Sequence, residues 1–145
     1  MKQFTVFNLE DCLLGVDSAH VYAIHPATAW VKMPQKEDLL LLGMMKLPDG
    51  RFMHVINSDR LLGLAPSSGE ESKAIAFMNG GTLMGLVVGG RISMLTADEG
   101  TIAGILPLSR INSEYFTGTV MDEKGNVVLL LNMDKLLPAL GSVSK

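Results

Sequence analysis

The chain writes one pattern twice. "GRFMHVINSDRLL", Gly50 to Leu62, and "GNVVLLLNMDKLL", Gly125 to Leu137, stand 75 positions apart. Each runs a Gly, a polar residue, five mostly apolar strand positions, Asn, any residue, Asp, a basic residue and Leu-Leu. A second pair precedes them in the same order, "FNLEDCLLGV" from Phe7 and "FMNGGTLMGL" from Phe77, offset by 70. Both are a Phe closing an apolar run, a turn, Leu, an apolar residue, Gly and an aliphatic, which reads as strand, tight turn and strand. Two matched pairs in one order indicate an internal duplication whose halves differ by about five residues of loop. Two copies are too few for a solenoid, which needs three or more.

Strand signals dominate both halves. The first offers "FTVFNL", "LLGV", "HVYAI", "LLLLGMMKL" and "RFMHVI". The second offers "AIAFM", "TLMGLVV", "RISML", "AGILPL", "YFTGTVM" and "NVVLLL". Turns are expected at Glu10-Asp11, Pro34-Gln35, Pro48-Asp49-Gly50, Asn79-Gly80-Gly81, Gly89-Gly90 and Glu123-Lys124-Gly125. The segment "APSSGEESK", Ala65 to Lys73, reads as a linker between a first half of about residues 4–66 and a second of about 72–140. Fifteen Gly suit tightly curved sheets, where bulges and strand corners favour residues without a Cβ. The repeated Asn-x-Asp has a local meaning: Asn57 and Asn132 end strands and cap short helices, while Asp59 and Asp134 meet the positive end of the helix dipole.

Apolar residues make up 48% of the chain and charged ones 19%, which places it among well-packed globular domains. A chain of 145 residues buries roughly two-thirds of its unfolded surface, and the apolar supply exceeds that need. The surplus, with ten Met, points to an apolar contact surface as well as a core. A net charge of −3 without a basic cluster argues against nucleic acid and against an anionic membrane as partners. Cys12 stands alone, the N-terminus has no signal-peptide pattern, and the longest apolar run, "LLLLGMM", is far short of the ~20 residues of a spanning helix. The expected location is the cytoplasm, with no insertion into a membrane.

Catalytic signatures do not emerge. His20 and His25 have neither helical ligand spacing nor a shared strand face, and no Cys or acidic cluster joins them. His54 sits mid-strand, with Met53 and Val55 on the opposite face. No nucleophile elbow occurs, and "GLVVGGR", Gly85 to Arg91, has strands on both sides and reads as a turn, not a dinucleotide fingerprint. The acidic pairs all fall at turns, where they are solvated surface. The sequence argues against an enzyme and calls for no cofactor and no metal.

The residues do resemble a family. The run "IAFMNGGTLMGLVVGGRISML" followed by "PLSRINSEYFTGTVMDEKGNVVLLLNMDKLL" is similar to the second half of the CheW-like domains of bacterial chemotaxis coupling proteins. Gly85-Leu86-Val87-Val88, Gly90 and Tyr115-Phe116-Thr117-Gly118 match its pattern, and the first half follows its order of elements. The resemblance covers Phe4 to Leu140 and implies a single CheW-like domain over 1–145. Its fold would be mainly all-β, two small SH3-like five-stranded barrels with short helices.

It also implies a non-catalytic adaptor. One face would pair with the regulatory domain of a chemotaxis histidine kinase, and a groove would hold the cytoplasmic tip of a chemoreceptor. The groove residues carried over are Val21, Ala23, Gly43, Met44, Lys46, Arg51, Ile92 and Met94, although Val21 and Ile92 are equally well read as barrel core. Family members commonly carry Asn-Leu-Arg-Gly where this chain reads Lys46-Leu47-Pro48-Asp49-Gly50-Arg51, so Arg51 is the candidate substitute for the missing Arg. Ala23 stands where a Glu is usual, and Gly89 where an Asp is. Two other readings stay open: a paralogue that binds only the kinase or another signalling partner, and a small-molecule barrel lined by His54, Trp30 and Met side chains.

Overall fold

A computed structural model describes residues 2–10, 12–27, 31–32, 41–65, 72–97 and 113–141. The first half supplies β1 (Lys2–Leu9), β2 (Cys12–Asp17), β3 (Val21–Pro26), β4 (Val31–Lys32), β5 (Leu41–Lys46), β6 (Phe52–Ile56) and the short helix α1 (Ser58–Leu62). The second supplies β7 (Lys73–Asn79), β8 (Thr82–Ala97), β9 (Phe116–Met121), β10 (Val127–Leu131) and α2 (Met133–Gly141). The fold is mainly β, as expected. Trp30 as a side chain, the "AGILPL" segment and the turn at Pro34-Gln35 lie outside what is described.

The strands form two small barrels, and the duplication is legible in their register. Met53, His54 and Val55 of β6 lie parallel to Leu83, Met84 and Gly85 of β8. The same pairing recurs between Val128, Leu129 and Leu130 of β10 and Leu13, Leu14 and Gly15 of β2. Each partner is displaced by the 75 or 70 positions of the sequence repeat. The hairpins repeat likewise: Met45 opposite Met53 becomes Val120 opposite Val128, and Phe7 opposite Leu14 becomes Phe77 opposite Met84.

The barrels do not follow the division of the chain at residues 4–66 and 72–140. One contains β1, β2, the C-terminal part of β8, β9 and β10; the other contains β3 to β7 and the N-terminal part of β8. Each half has lent its first hairpin to the other barrel. Parallel neighbours need a long crossover: between β2 and β10 the chain passes through the other barrel, and between β6 and β8 it runs through α1 and β7.

The Gly89-Gly90 turn expected from sequence is not a turn between strands. β8 runs unbroken over 16 residues and bends there as it passes from one barrel to the other. Gly90 takes φ 74°, and a Cβ on it would overlap the Asn8 amide. The register of β8 against β1 shifts between Val6 and Asn8, so the two glycines serve a bulged corner.

Each barrel interior has its own cluster, and the two solve one packing problem differently. Met45, Met53 and Val55 pack with Ala74 and Ala76 in one barrel. Their repeat counterparts Val120, Val128 and Leu130 pack with Phe4 and Val6 in the other. Long flexible Met faces small Ala where branched Val faces large Phe, which conserves volume across the duplication. A third, larger cluster, including Phe7, Leu14, Phe77, Met84, Leu129 and Leu136, holds the barrels and helices together. At α1, Asn57 accepts a hydrogen bond from the Arg60 amide at 3.2 Å, and Gly63 closes the helix at φ 79°.

Candidate interaction surface

Among the described residues β3 pairs with β7 alone, and a register shift between Val21 and Ala23 turns Tyr22 outward, 42% exposed. Tyr22 reaches the β5–β6 turn. Arg51 Nη1 donates to its hydroxyl at 3.2 Å, and that hydroxyl lies 3.3 Å from Asp49 Oδ2, to which it donates. The Arg51 guanidinium carbon stands 5.4 Å from the Tyr22 ring centroid, within cation–π range. The turn is closed by hydrogen bonds: Gly50 takes φ 88°, the Leu47 amide donates to the Arg51 carbonyl at 2.8 Å, and Asp49 Oδ1 accepts from the Arg51 amide at 2.9 Å. Tyr22, which the sequence did not single out, thus joins Arg51 to the strand that carries Val21 and Ala23.

At the start of β3 a second link forms. The hydroxyls of Thr5 and Ser18 lie 2.9 Å apart, and Met94 Sδ lies 3.6 Å from the first and 3.8 Å from the second. Ser18 opens the 3-10 turn Ser18–His20 that leads into β3, so Met94 of β8 is held beside that strand's entry. Met94 is 56% exposed although it pairs directly with the buried Thr5.

The remaining candidates divide by burial. Val21 and Ile92 are half-buried against the large central cluster, so both serve as packing. Ala23 is half-buried opposite Ala76. Gly43 is buried between β4 and β6, whereas Met44 and Lys46 of the same strand are exposed. Lys46 pairs with the exposed Phe52 at the hairpin end. Two local associations, Tyr22 with Arg51 and Ser18 with Met94, tie the two ends of the set to β3.

His54 lies in a cross-strand row with Met44 and Met84, and its buried Nδ1 has no hydrogen-bond partner among the described residues. Among the described residues no group of three or more His, Cys, Asp or Glu could hold a metal. Clefts of about 690 and 420 Å³ open at the surface, the larger beside Met94, Met121 and Asp122 and the smaller beside His20, Asp17 and Asp134. Among the described residues no helix is long and apolar enough to cross a membrane.

The family model of the CheW-like domain matches residues 3–140. Among solved structures the chain is similar to the scaffolding protein TtCheW from Thermoanaerobacter tengcongensis. The two share 21% identity and a TM-score of 0.75, over 90% of this chain and 83% of that one. No curated protein sequence matches at a significant level.

Proposed function

Because this chain belongs to the CheW-like domain family, a family of chemotaxis signalling scaffolds, we propose that it acts as a non-catalytic adaptor between a histidine kinase and a chemoreceptor. The kinase would be engaged through its regulatory domain, barrel against barrel. The receptor tip would lie along β3, between the Tyr22–Arg51 pair and Met94.

The observation that carries this reading is the Tyr22–Arg51 contact. The family's usual Arg before the hairpin Gly is missing, yet a guanidinium stands over β3 from the far side of the same turn. Arg has five N–H donors, and one is spent on the tyrosine hydroxyl, so others can meet a carboxylate or carbonyl on a helical tip. Exposed Met44 and Met94 add adaptable apolar contacts. The test is a titration of the full chain with a receptor-tip fragment, comparing wild type with Arg51→Ala. An affinity that does not respond to Arg51→Ala would sink the receptor half of the proposal.

A second reading, a scaffold that binds the kinase and not the receptor, draws on the same contact. The Arg51 guanidinium is engaged by Tyr22, whose hydroxyl is in turn held by Asp49, and Ala23 and Gly89 offer no charge. Saturable kinase binding with no detectable receptor-tip binding would select it.

A further inference from the structure

Thr5, Ser18 and Met94 occupy positions whose repeat counterparts are Ile75, Val88 and Ile24. The register makes the equivalence direct: Thr5 pairs with Met94 as Ile75 pairs with Ile24. Ile75 and Val88 are fully buried, and Ile24 is half-buried on the central cluster. One barrel thus fills this position with three branched aliphatics. The other uses two hydroxyls and a thioether, although nothing about the strand geometry demands polarity there.

The hydroxyls are poorly matched to their acceptor. Thr5 and Ser18 hold two protons between them, and their mutual hydrogen bond at 2.9 Å uses one. Whichever way the pair is oriented, the remaining proton has Met94 Sδ as its acceptor among the described residues, at 3.6 or 3.8 Å. Thioether sulfur is a weak acceptor. Thr5 is almost wholly buried, so its hydroxyl has little recourse to water. A sulfoxide oxygen on Met94 would give this proton a strong acceptor.

We propose that Met94 is a peroxide-oxidation site whose sulfoxide is bound by the Thr5–Ser18 hydroxyl pair, and that its oxidation turns an apolar contact of the receptor-facing surface into a polar one. The second clause rests on the adaptor reading above; the first does not. In the reaction a sulfur lone pair attacks one oxygen of hydrogen peroxide. The S–O bond forms and the O–O bond breaks. The departing hydroxide takes the proton from the new S–OH and leaves as water. Sulfur loses two electrons and the peroxide gains them. The product is restored by a methionine sulfoxide reductase using a dithiol. The departing oxygen takes the electron pair of the O–O bond and carries the developing negative charge, so a hydroxyl donor beside the sulfur stabilises that leaving oxygen during the transfer and afterwards holds the sulfoxide oxygen.

The test is a timed exposure of the full-length protein to dilute hydrogen peroxide, with the extent of oxidation at each Met read by peptide mass spectrometry. Met121, 67% exposed against 56% for Met94, is the internal standard. The expected result is Met94 sulfoxide forming at least as fast as Met121 sulfoxide. Its rate should fall several-fold in Ser18→Ala and in Thr5→Val, with Met121 unchanged. Two variants are used because Thr5 is buried and Ser18 is not. Met94 lagging behind Met121, or rates indifferent to both substitutions, would overturn the site. For the consequence, receptor-tip affinity should drop about tenfold on oxidation in wild type and stay constant in Met94→Leu. An unchanged affinity in oxidised wild type overturns the second clause. A chain that oxidises as expected at Met94 but binds no receptor tip in either state supports the site and overturns the adaptor reading.

Discussion

Arg51 stands over the ring of Tyr22 and donates to its hydroxyl, joining the β5–β6 turn to β3. Both residues are exposed, so the contact contributes little to folding, on the order of 0.5–1 kcal/mol. Its value under the adaptor account is positional. Arg51→Ala is expected to change stability by no more than about 1 kcal/mol while weakening receptor-tip binding about tenfold. Arg51→Lys should not restore binding, because an ammonium lacks the planar fork that stacks on the ring and bonds a second partner. Denaturant unfolding and calorimetry on the same preparations separate the two effects. Full binding by Arg51→Lys would contradict a specific guanidinium role.

The two parallel seams each hold a buried glycine, and they are not equally tolerant. A Cβ on Gly85 would overlap the Ile75 carbonyl oxygen and the Met53 sulfur, and the carbonyl belongs to a paired strand that cannot move away. A Cβ on its counterpart Gly15 would meet only side chains, Leu130 Cδ2 at 3.0 Å and Val128 Cγ1 at 3.2 Å. Gly85→Ala should therefore cost about 3 kcal/mol or more, and Gly15→Ala about 1–2. Equal losses in urea unfolding would show that the seams are more plastic than their packing implies.

The exchange of hairpins makes each half of the chain incomplete. A fragment of residues 1–66 carries β3 to β6 without β7 and β8, and β1–β2 without β10. Neither 1–66 nor 67–145 should show a cooperative thermal transition alone, and an equimolar mixture should regain one. A fragment that melts cooperatively by itself would contradict the exchanged topology.

How much of this was open to the sequence depends on what sequence patterns encode. The duplication was legible because equivalent strands keep equivalent side chains; the five hairpin pairings from Leu41 to Phe52 recur at 75 positions' distance from Phe116 to Val127. So were the mid-strand place of His54 and the opposite orientation of Met53 and Val55, which are fully buried in a barrel interior. Partner choice was not legible. A period of two says which face of a strand is buried, and nothing about which strand lies beside it. The Gly89-Gly90 pair was misread as a turn for a related reason: bulged corners and hairpin turns both call for a residue at positive φ. Among the candidate contacts, Arg51 came from comparison with a family pattern, while Tyr22 depends on a bulge that local sequence does not announce.

The β9–β10 turn gives a pH dependence with a definite sign. Asp122 accepts hydrogen bonds from the Asn126 amide at 2.8 Å, the Lys124 amide at 2.9 Å and the Asn126 side chain at 3.1 Å. The Asn126 backbone bond is the main cause that holds its carboxyl below the ordinary 3.8. A carboxyl lowered in the folded state stabilises the turn above its unfolded pKa, and that contribution disappears as the pH falls through the lowered folded value. The Lys124 and Asn126 amide resonances should titrate together with a midpoint below 3.8, and a midpoint at or above 3.8 would refute the turn's dependence on the carboxylate.

The adaptor account stands or falls on the kinase. A calorimetric titration of the full-length chain with the regulatory domain of each chemotaxis-type histidine kinase encoded beside it in the same genome tests this directly. The account predicts saturable binding to one of them with a dissociation constant of about 1 μM or tighter, equivalent to about −8 kcal/mol. No binding to any of these domains would contradict it, and would leave a CheW-like fold serving another partner.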